Sequence, residues 1–473
     1  MTRNLRIRLR KVAALAVASL CLSAATAQGN RTRPLDIDAA ATIGAYAVDL
    51  TSGQTLWAYN ENLWLTPASL TKVLTTGAAL QTKGANARLH TKIELTTNGQ
   101  GNHSLRIVGE FDPTMNSSHF DTGKMTTEAK ALAVKLKAKG IARLETIGVD
   151  DSRECDDALN PKILWEDMGN YYGAPPTIVG FVDNSASLYF STPAGVGKAC
   201  TLDSIVPAIE GLSVTADVET HSTSADKCQV RWLGHDTWHA TGSLPQSRRA
   251  FRVKSVLPHP ALRYAEALAD ALRAEGIVVG HATTGSLDAG ELIMTIDSPT
   301  LSEIIKVTNH ESVNLFADAL AMNLALSRNP SGRLEWADAA SAIMSFWKER
   351  YGLEMRLDDG SGLSPQGAVS AKTMVKAISA MRKSSVWDAY RESLPIVGKS
   401  GTVSSLGGKL AVSGHARAKS GTMSGVVAYA GVMKTVKGRE VAFCIIVNHH
   451  KEGVWVVRGK VAEWLNKIYT DKK

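Results

Sequence analysis

Aromatic residues make up only 6% of this 473-residue chain, and cysteine occurs five times. Basic residues are not interleaved with aromatics, so the stacking platforms of nucleic-acid-binding proteins are missing and no nucleic acid is expected as a partner. No two cysteines have the Cys-x-x-Cys spacing of a zinc site. Internal repeats, coiled-coil heptads and low-complexity tracts are absent as well. What is present is 44% hydrophobic and 21% charged sequence, the composition of a folded chain of two or more domains.

The excess of 53 basic over 45 acidic residues is unevenly placed. Arg3, Arg6, Arg8, Arg10 and Lys11 precede the first acid, Asp36, and without them 48 bases face 45 acids, a net of +3. The remaining balance implies no polyanion partner. The cationic start is followed by an apolar run from Val12 to Leu22 and by Ala25-Thr26-Ala27, the pattern of an export signal over residues 1–27, cleaved after Ala27. The apolar run falls short of the ~20 residues of a spanning helix, which disfavours a retained anchor. The bulky Leu20 before Cys21 disfavours a lipoprotein. Export exposes Cys155, Cys200, Cys228 and Cys444 to an oxidising compartment. Cys200 with Cys228 is the preferred pairing, and Cys444, within an apolar run from Val441 to Val447, reads as a buried free thiol.

Periodicity organises the rest. Ile43 to Asp49 and Thr55 to Tyr59 read as a hairpin, and Thr66 to Leu80 as a helix opened by Pro67. Residues from about 90 to 290 are β-rich, with helices at Thr127 to Lys139 and Pro260 to Glu275. From Leu301 apolar positions recur three and four apart, giving helices at Ser302 to Val307, Leu315 to Ser327 and Leu334 to Tyr351. A loop-rich stretch then leads to three strands, His415 to Ser420, Gly425 to Met433 and Val441 to Asn448. The last helix, Val454 to Tyr469, carries one apolar face that is expected to dock on the sheet.

Three short patterns carry chemistry. Ser69 and Lys72 stand three apart on a predicted helix, where they share a face. A serine hydroxyl needs a neighbouring base to become a nucleophile, and a lysine of lowered pKa can serve. Ser312-Val313-Asn314 offers a second hydroxyl and an amide that can hold a peptide carbonyl. Lys419-Ser420-Gly421-Thr422 ends a predicted strand, supplying a cation, two hydroxyls for an anionic group and a glycine that admits a close approach to the backbone.

In this order the three patterns resemble those of penicillin-binding proteins and class A β-lactamases. Gly109 to Thr114, Gly169 to Pro175, Leu301 to Asn309, Asp359 to Ser364 and Ala418 to Val426 extend the resemblance, from about residue 40 to the C-terminus. Together they resemble the class C low-molecular-mass penicillin-binding proteins, D-Ala-D-Ala carboxypeptidases and endopeptidases of the penicillin-binding protein 4 type. The resemblance implies an α/β (α+β) fold, with an antiparallel sheet flanked by helices, an all-helical lobe and a large β-rich insertion. The implied catalytic domain is discontinuous, over 28–95 and 290–473, and 96–289 forms an insertion of two subdomains. Ser69 and Ser312 lie 243 positions apart, which fits a chain that leaves and re-enters one domain.

The resemblance further implies that Ser69 is the acylated nucleophile and Lys72 its base. Ser312 would relay a proton, Asn314 would bind the substrate amide, and Lys419 would tune the relay. Ser420 and Thr422 would hold the terminal carboxylate beside Gly421, and the N–H groups of Ser69 and Thr422 would form the oxyanion hole. Peptidoglycan stem peptides are the implied substrates and β-lactams the implied covalent inhibitors, in the periplasm, with loose membrane association and a homodimer left open. No cofactor or metal is implied.

The third motif departs from the usual Lys-Thr-Gly by a serine, which keeps the hydroxyl. A second copy, Lys399-Ser400-Gly401-Thr402, lies in a Gly-rich loop, so Lys419 is preferred. His235 and His239 lack the acid that would complete a metal motif, and Ser393 stands where a phosphate-binding loop before Lys399 needs its first glycine. Two alternatives remain, a serine β-lactamase and a non-catalytic peptidoglycan-binding protein. The large insertion and the lack of a recognisable deacylating Glu loop disfavour the first, and the complete set of motif residues disfavours the second.

Overall fold

A computed structural model describes residues 29–155, 159–234 and 236–471. The expected signal segment, Cys21 and His235 lie outside the described residues. The chain divides into two compact units. One combines the residues up to Leu65 with Val369–Ala380 and Pro395–Lys473; the other holds Thr66–Ala368 and Met381–Leu394.

The first unit is built on a five-stranded antiparallel sheet in the order Ala416–Met423, Val426–Lys434, Glu440–Asn448, Thr42–Asp49, Thr55–Tyr59. Its central strand, Glu440–Asn448, is buried from Val441 onward, as expected of a strand covered on both faces. The helix Val454–Thr470 docks Val457, Val461, Trp464 and Leu465 into the same core as Ala45, Tyr429, Phe443 and Ile445. Trp464 meets Trp57 and Phe443 edge-on, at 6.0 and 6.4 Å between centroids. Cys444 is free and buried here, and burial pushes its thiol well above the usual range.

In the second unit a five-stranded sheet runs in the order Val278–Gly285, Arg143–Asp150, His103–Val108, His90–Thr97, Glu291–Asp297. Arg143–Asp150 is parallel to both neighbours, and helix Pro260–Ala274 packs against it. Two three-stranded sheets follow, one of Ser213–His221, Thr237–Pro245 and Lys227–Trp232, the other of Arg248–Val256, Ser185–Thr192 and Thr201–Val206. The helical part gathers Leu301–His310, Asn314–Arg328, Trp336–Tyr351 and Trp387–Ser393 with Thr71–Lys83, which is buried without interruption from Thr71 to Leu80. A helix buried all round is a core element. Trp347 Nε1 and the Tyr390 hydroxyl donate to its Leu74 and Val73 carbonyls, each at 3.1 Å.

Three expectations change. Residues after 354 are not merely loop-rich: Ala371–Arg382 is a helix in which Met374, Val375, Ile378 and Met381 recur at helical spacing and are fully buried, and Trp387–Ser393 is a helix that buries Trp387, Tyr390 and Ser393 at intervals of three. The helix expected from Thr66 begins only at Thr71, after a 3-10 turn over Ala68–Leu70. Cys200 and Cys228 are both free. Cys200 N–H bonds Val218 on one edge strand of its sheet, whereas Cys228 lies on the opposite edge, with Gly242 of the middle strand between. Strand spacings of about 4.8 Å keep their backbones beyond the roughly 7 Å Cα separation that a disulfide tolerates.

Candidate active site

The second unit brings the first two motifs together. Ser69, half-buried, sits in the 3-10 turn that feeds the Thr71–Lys83 helix. The preceding Ala68 has φ +48°, a left-handed conformation that costs a non-glycine residue about 1 kcal/mol. Its carbonyl is held by the Thr71 hydroxyl at 3.1 Å and lies against Gly362. Gly362 has φ +78°, and a Cβ there would overlap the Ala68 carbonyl, so the Asp359–Ser364 loop can approach the Ser69 turn only with glycine at this position.

Lys72 is fully buried, and its Nζ reaches three oxygens: Ser69 Oγ at 3.0 Å, Asn314 Oδ1 at 2.6 Å and the Ser361 carbonyl at 2.7 Å. Asn314 opens the Asn314–Arg328 helix, and its Nδ2 donates to the Tyr172 carbonyl at 2.8 Å. A carbonyl can only accept, so this bond fixes the amide with Oδ1 towards Lys72. Burial lowers the Lys72 pKa to about 8, against the opposing pull of Asp318 and Asp359. Those two carboxyls are themselves buried and raised, Asp318 by desolvation and then by the charge of Asp359.

The acids also shape the loop. Asp318 accepts Gly360 N–H at 2.9 Å and the Ser361 hydroxyl, and Asp359 accepts Gly362 N–H at 2.6 Å and Ser364 N–H at 2.7 Å. Together they aim the Ser361 carbonyl at Lys72. Ser312, half-buried, lies two residues before Asn314 with φ +61°.

The third motif lies in the first unit. Lys419, Ser420, Gly421 and Thr422 occupy the Ala416–Met423 strand, opposite Ala430, Tyr429, Ala428 and Val427 of its neighbour. Lys419 is fully buried and donates to the Ser420 carbonyl at 2.7 Å. Ser420 Oγ donates to Thr402 Oγ1 at 2.7 Å, and Thr422 is exposed. Lys399 lies in a turn, where its N–H bonds the Ile396 carbonyl.

Sequence reasoning missed Asp318, the Tyr172 and Ser361 carbonyls, and Thr402. Asp318 had a signal, being the one acid in the apolar run Leu315 to Leu326. Backbone carbonyls have none, since any residue supplies one. Among the described residues no cluster of His, Cys, Asp and Glu is suited to hold a metal, and no helix is long and apolar enough to cross a membrane.

The chain is 28% identical over 436 residues to a D-alanyl-D-alanine carboxypeptidase of Actinomadura sp. strain R39, covering 87% of this chain and 78% of the relative. It is 25% identical over 428 residues to the D-alanyl-D-alanine carboxypeptidase DacB of Haemophilus influenzae, covering 87% and 86%. Crystal structures of penicillin binding protein 4 (dacB) from Haemophilus influenzae, alone and complexed with a β-lactam, superpose with TM-scores of 0.77 and 0.72 at 22% identity, covering 92% of this chain and 96% of theirs. The family model of the D-Ala-D-Ala carboxypeptidase 3 (S13) family matches residues 35–468, so the chain belongs to that family.

Proposed function

We propose that this protein is a serine D-Ala-D-Ala carboxypeptidase that removes terminal D-alanine from peptidoglycan stem peptides through an acyl-enzyme on Ser69. The arrangement around Lys72 Nζ carries the reading. A neutral amine has two N–H donors and one lone pair. Asn314 Oδ1 and the Ser361 carbonyl can only accept, so they take the two donors and leave the lone pair for the Ser69 hydroxyl proton. Burial lowers the Lys72 pKa to about 8, so far more of it is neutral near neutral pH than of an ordinary lysine.

Ser69 Oγ attacks the carbonyl of the penultimate D-alanine while Lys72 takes the hydroxyl proton. The C–N bond then breaks, D-alanine leaves with a proton delivered through Ser312, and water hydrolyses the ester to regenerate Ser69. The second Nδ2 proton of Asn314 is the donor for the substrate amide, and Ser420 and Thr422 hold the terminal carboxylate. A β-lactam acylates the same serine but keeps its leaving group tethered. Cutting of cross-bridges between stems is the same chemistry with a larger leaving amine, and an export signal over residues 1–27 would carry the enzyme to the periplasm, where these substrates lie.

The test is incubation of the mature protein and its Ser69→Ala variant with a fluorescent penicillin, with mass spectrometry of the labelled peptide and a D-alanine release assay. A stable adduct on Ser69, and loss of release in the variant, is the expected result. Release at an unchanged rate by Ser69→Ala would refute the mechanism, and rapid turnover of the penicillin would favour a β-lactamase.

A further inference from the structure

Beside the third motif stands a cation that the roles above do not use. Arg458, in the Val454–Thr470 helix, donates through Nη2 to Thr422 Oγ1 at 3.1 Å, and its Cζ lies 4.9 Å over the Trp455 ring. Trp455 is 71% exposed, so it is not held there by core packing. Its ring face is a platform for the guanidinium. Arg458 Nε is buried and has no hydrogen-bond acceptor among the described residues. A buried donor left without a partner is costly, and a planar guanidinium is the side chain best matched to a carboxylate.

We propose that Arg458 is a specificity-determining residue that reads the free C-terminal carboxylate of the substrate together with Thr422. Donation from Arg458 occupies a lone pair of Thr422 Oγ1, which leaves the threonine proton as the donor to the carboxylate and places a full positive charge next to it. The inference rests on the assignment of the third motif to the terminal carboxylate, and it adds the charge that two hydroxyls cannot supply. It predicts that discrimination between an acyl donor with a free carboxylate and the corresponding amide or ester depends on Arg458.

The experiment compares rates of acylation by benzylpenicillin and by its methyl ester, in the wild-type chain, Arg458→Gln and Arg458→Lys, with thermal melting of each as a check on folding. Arg458→Gln should slow acylation by benzylpenicillin about 10- to 100-fold, the worth of one charged hydrogen bond, while the methyl ester reacts within about threefold of the wild-type rate. Arg458→Lys should recover part of the preference. Equal slowing of both reagents, or of neither, would overturn the proposal. Mapping the adduct to a residue other than Ser69 would instead overturn the nucleophile assignment, and the ratio of the two rates would still decide the role of Arg458.

Discussion

The charge state of Lys72 should govern the pH dependence of acylation. Burial lowers its pKa from 10.5 to about 8, a displacement worth about 3 kcal/mol in favour of the neutral amine. Only that form can accept the Ser69 proton, so the second-order rate of acylation by benzylpenicillin should rise about tenfold per unit below pH 7 and level off above about pH 8 to 9. Asp318 and Asp359 hold the pKa up, because a nearby negative charge favours the ammonium. In Asp318→Asn the side-chain oxygen can still accept from Gly360 N–H, while the charge is gone. The neutral amine then needs less alkaline conditions, and the midpoint should move down. Stopped-flow acylation from pH 5 to 10, on both proteins, measures the two midpoints. A flat profile, or a wild-type midpoint near that of an ordinary lysine, would refute the general-base role. A midpoint that moved up in Asp318→Asn would refute the electrostatic account.

Two further substitutions probe the scaffold. Gly362→Ala combines a strained φ of +78° with overlap against the Ala68 carbonyl, so it should displace the Ser69 turn and slow acylation by about 100-fold or more, with a lowered melting temperature; wild-type acylation would show that the loop approach is not required. Trp464→Ala empties a fully buried position between Trp57 and Phe443 and should destabilise the protein by about 3–5 kcal/mol, read as a fall in the denaturation midpoint.

Local signals in the chain carried much of this architecture. The hairpin at Thr42–Asp49 and Thr55–Tyr59, the three C-terminal strands and the closing helix follow from alternation and from 3.6-residue periodicity, because each buries one face or one run against a single core. The helices Ala371–Arg382 and Trp387–Ser393 were hidden between glycine-rich segments, although their buried apolar positions show the same spacing. Ser69, Lys72, Ser312, Asn314 and Lys419 could be named as candidates from the sequence because a nucleophile, a base and a cation must be particular side chains, whatever the fold around them.

The groups that position those side chains were not legible in the same way. Lys72 owes two of its three oxygen partners to Asn314 and Ser361, which lie 242 and 289 positions away, and Asn314 owes its orientation to the carbonyl of Tyr172. The chain alone was enough to point to its family and to name the side chains that are candidates for the reaction. The fold was needed to reveal the burial of Lys72, the three oxygens around its Nζ and the cation beside Thr422. These depend on burial and on distances of about 3 Å between residues remote in the chain, and a backbone carbonyl leaves no trace in the identity of its residue.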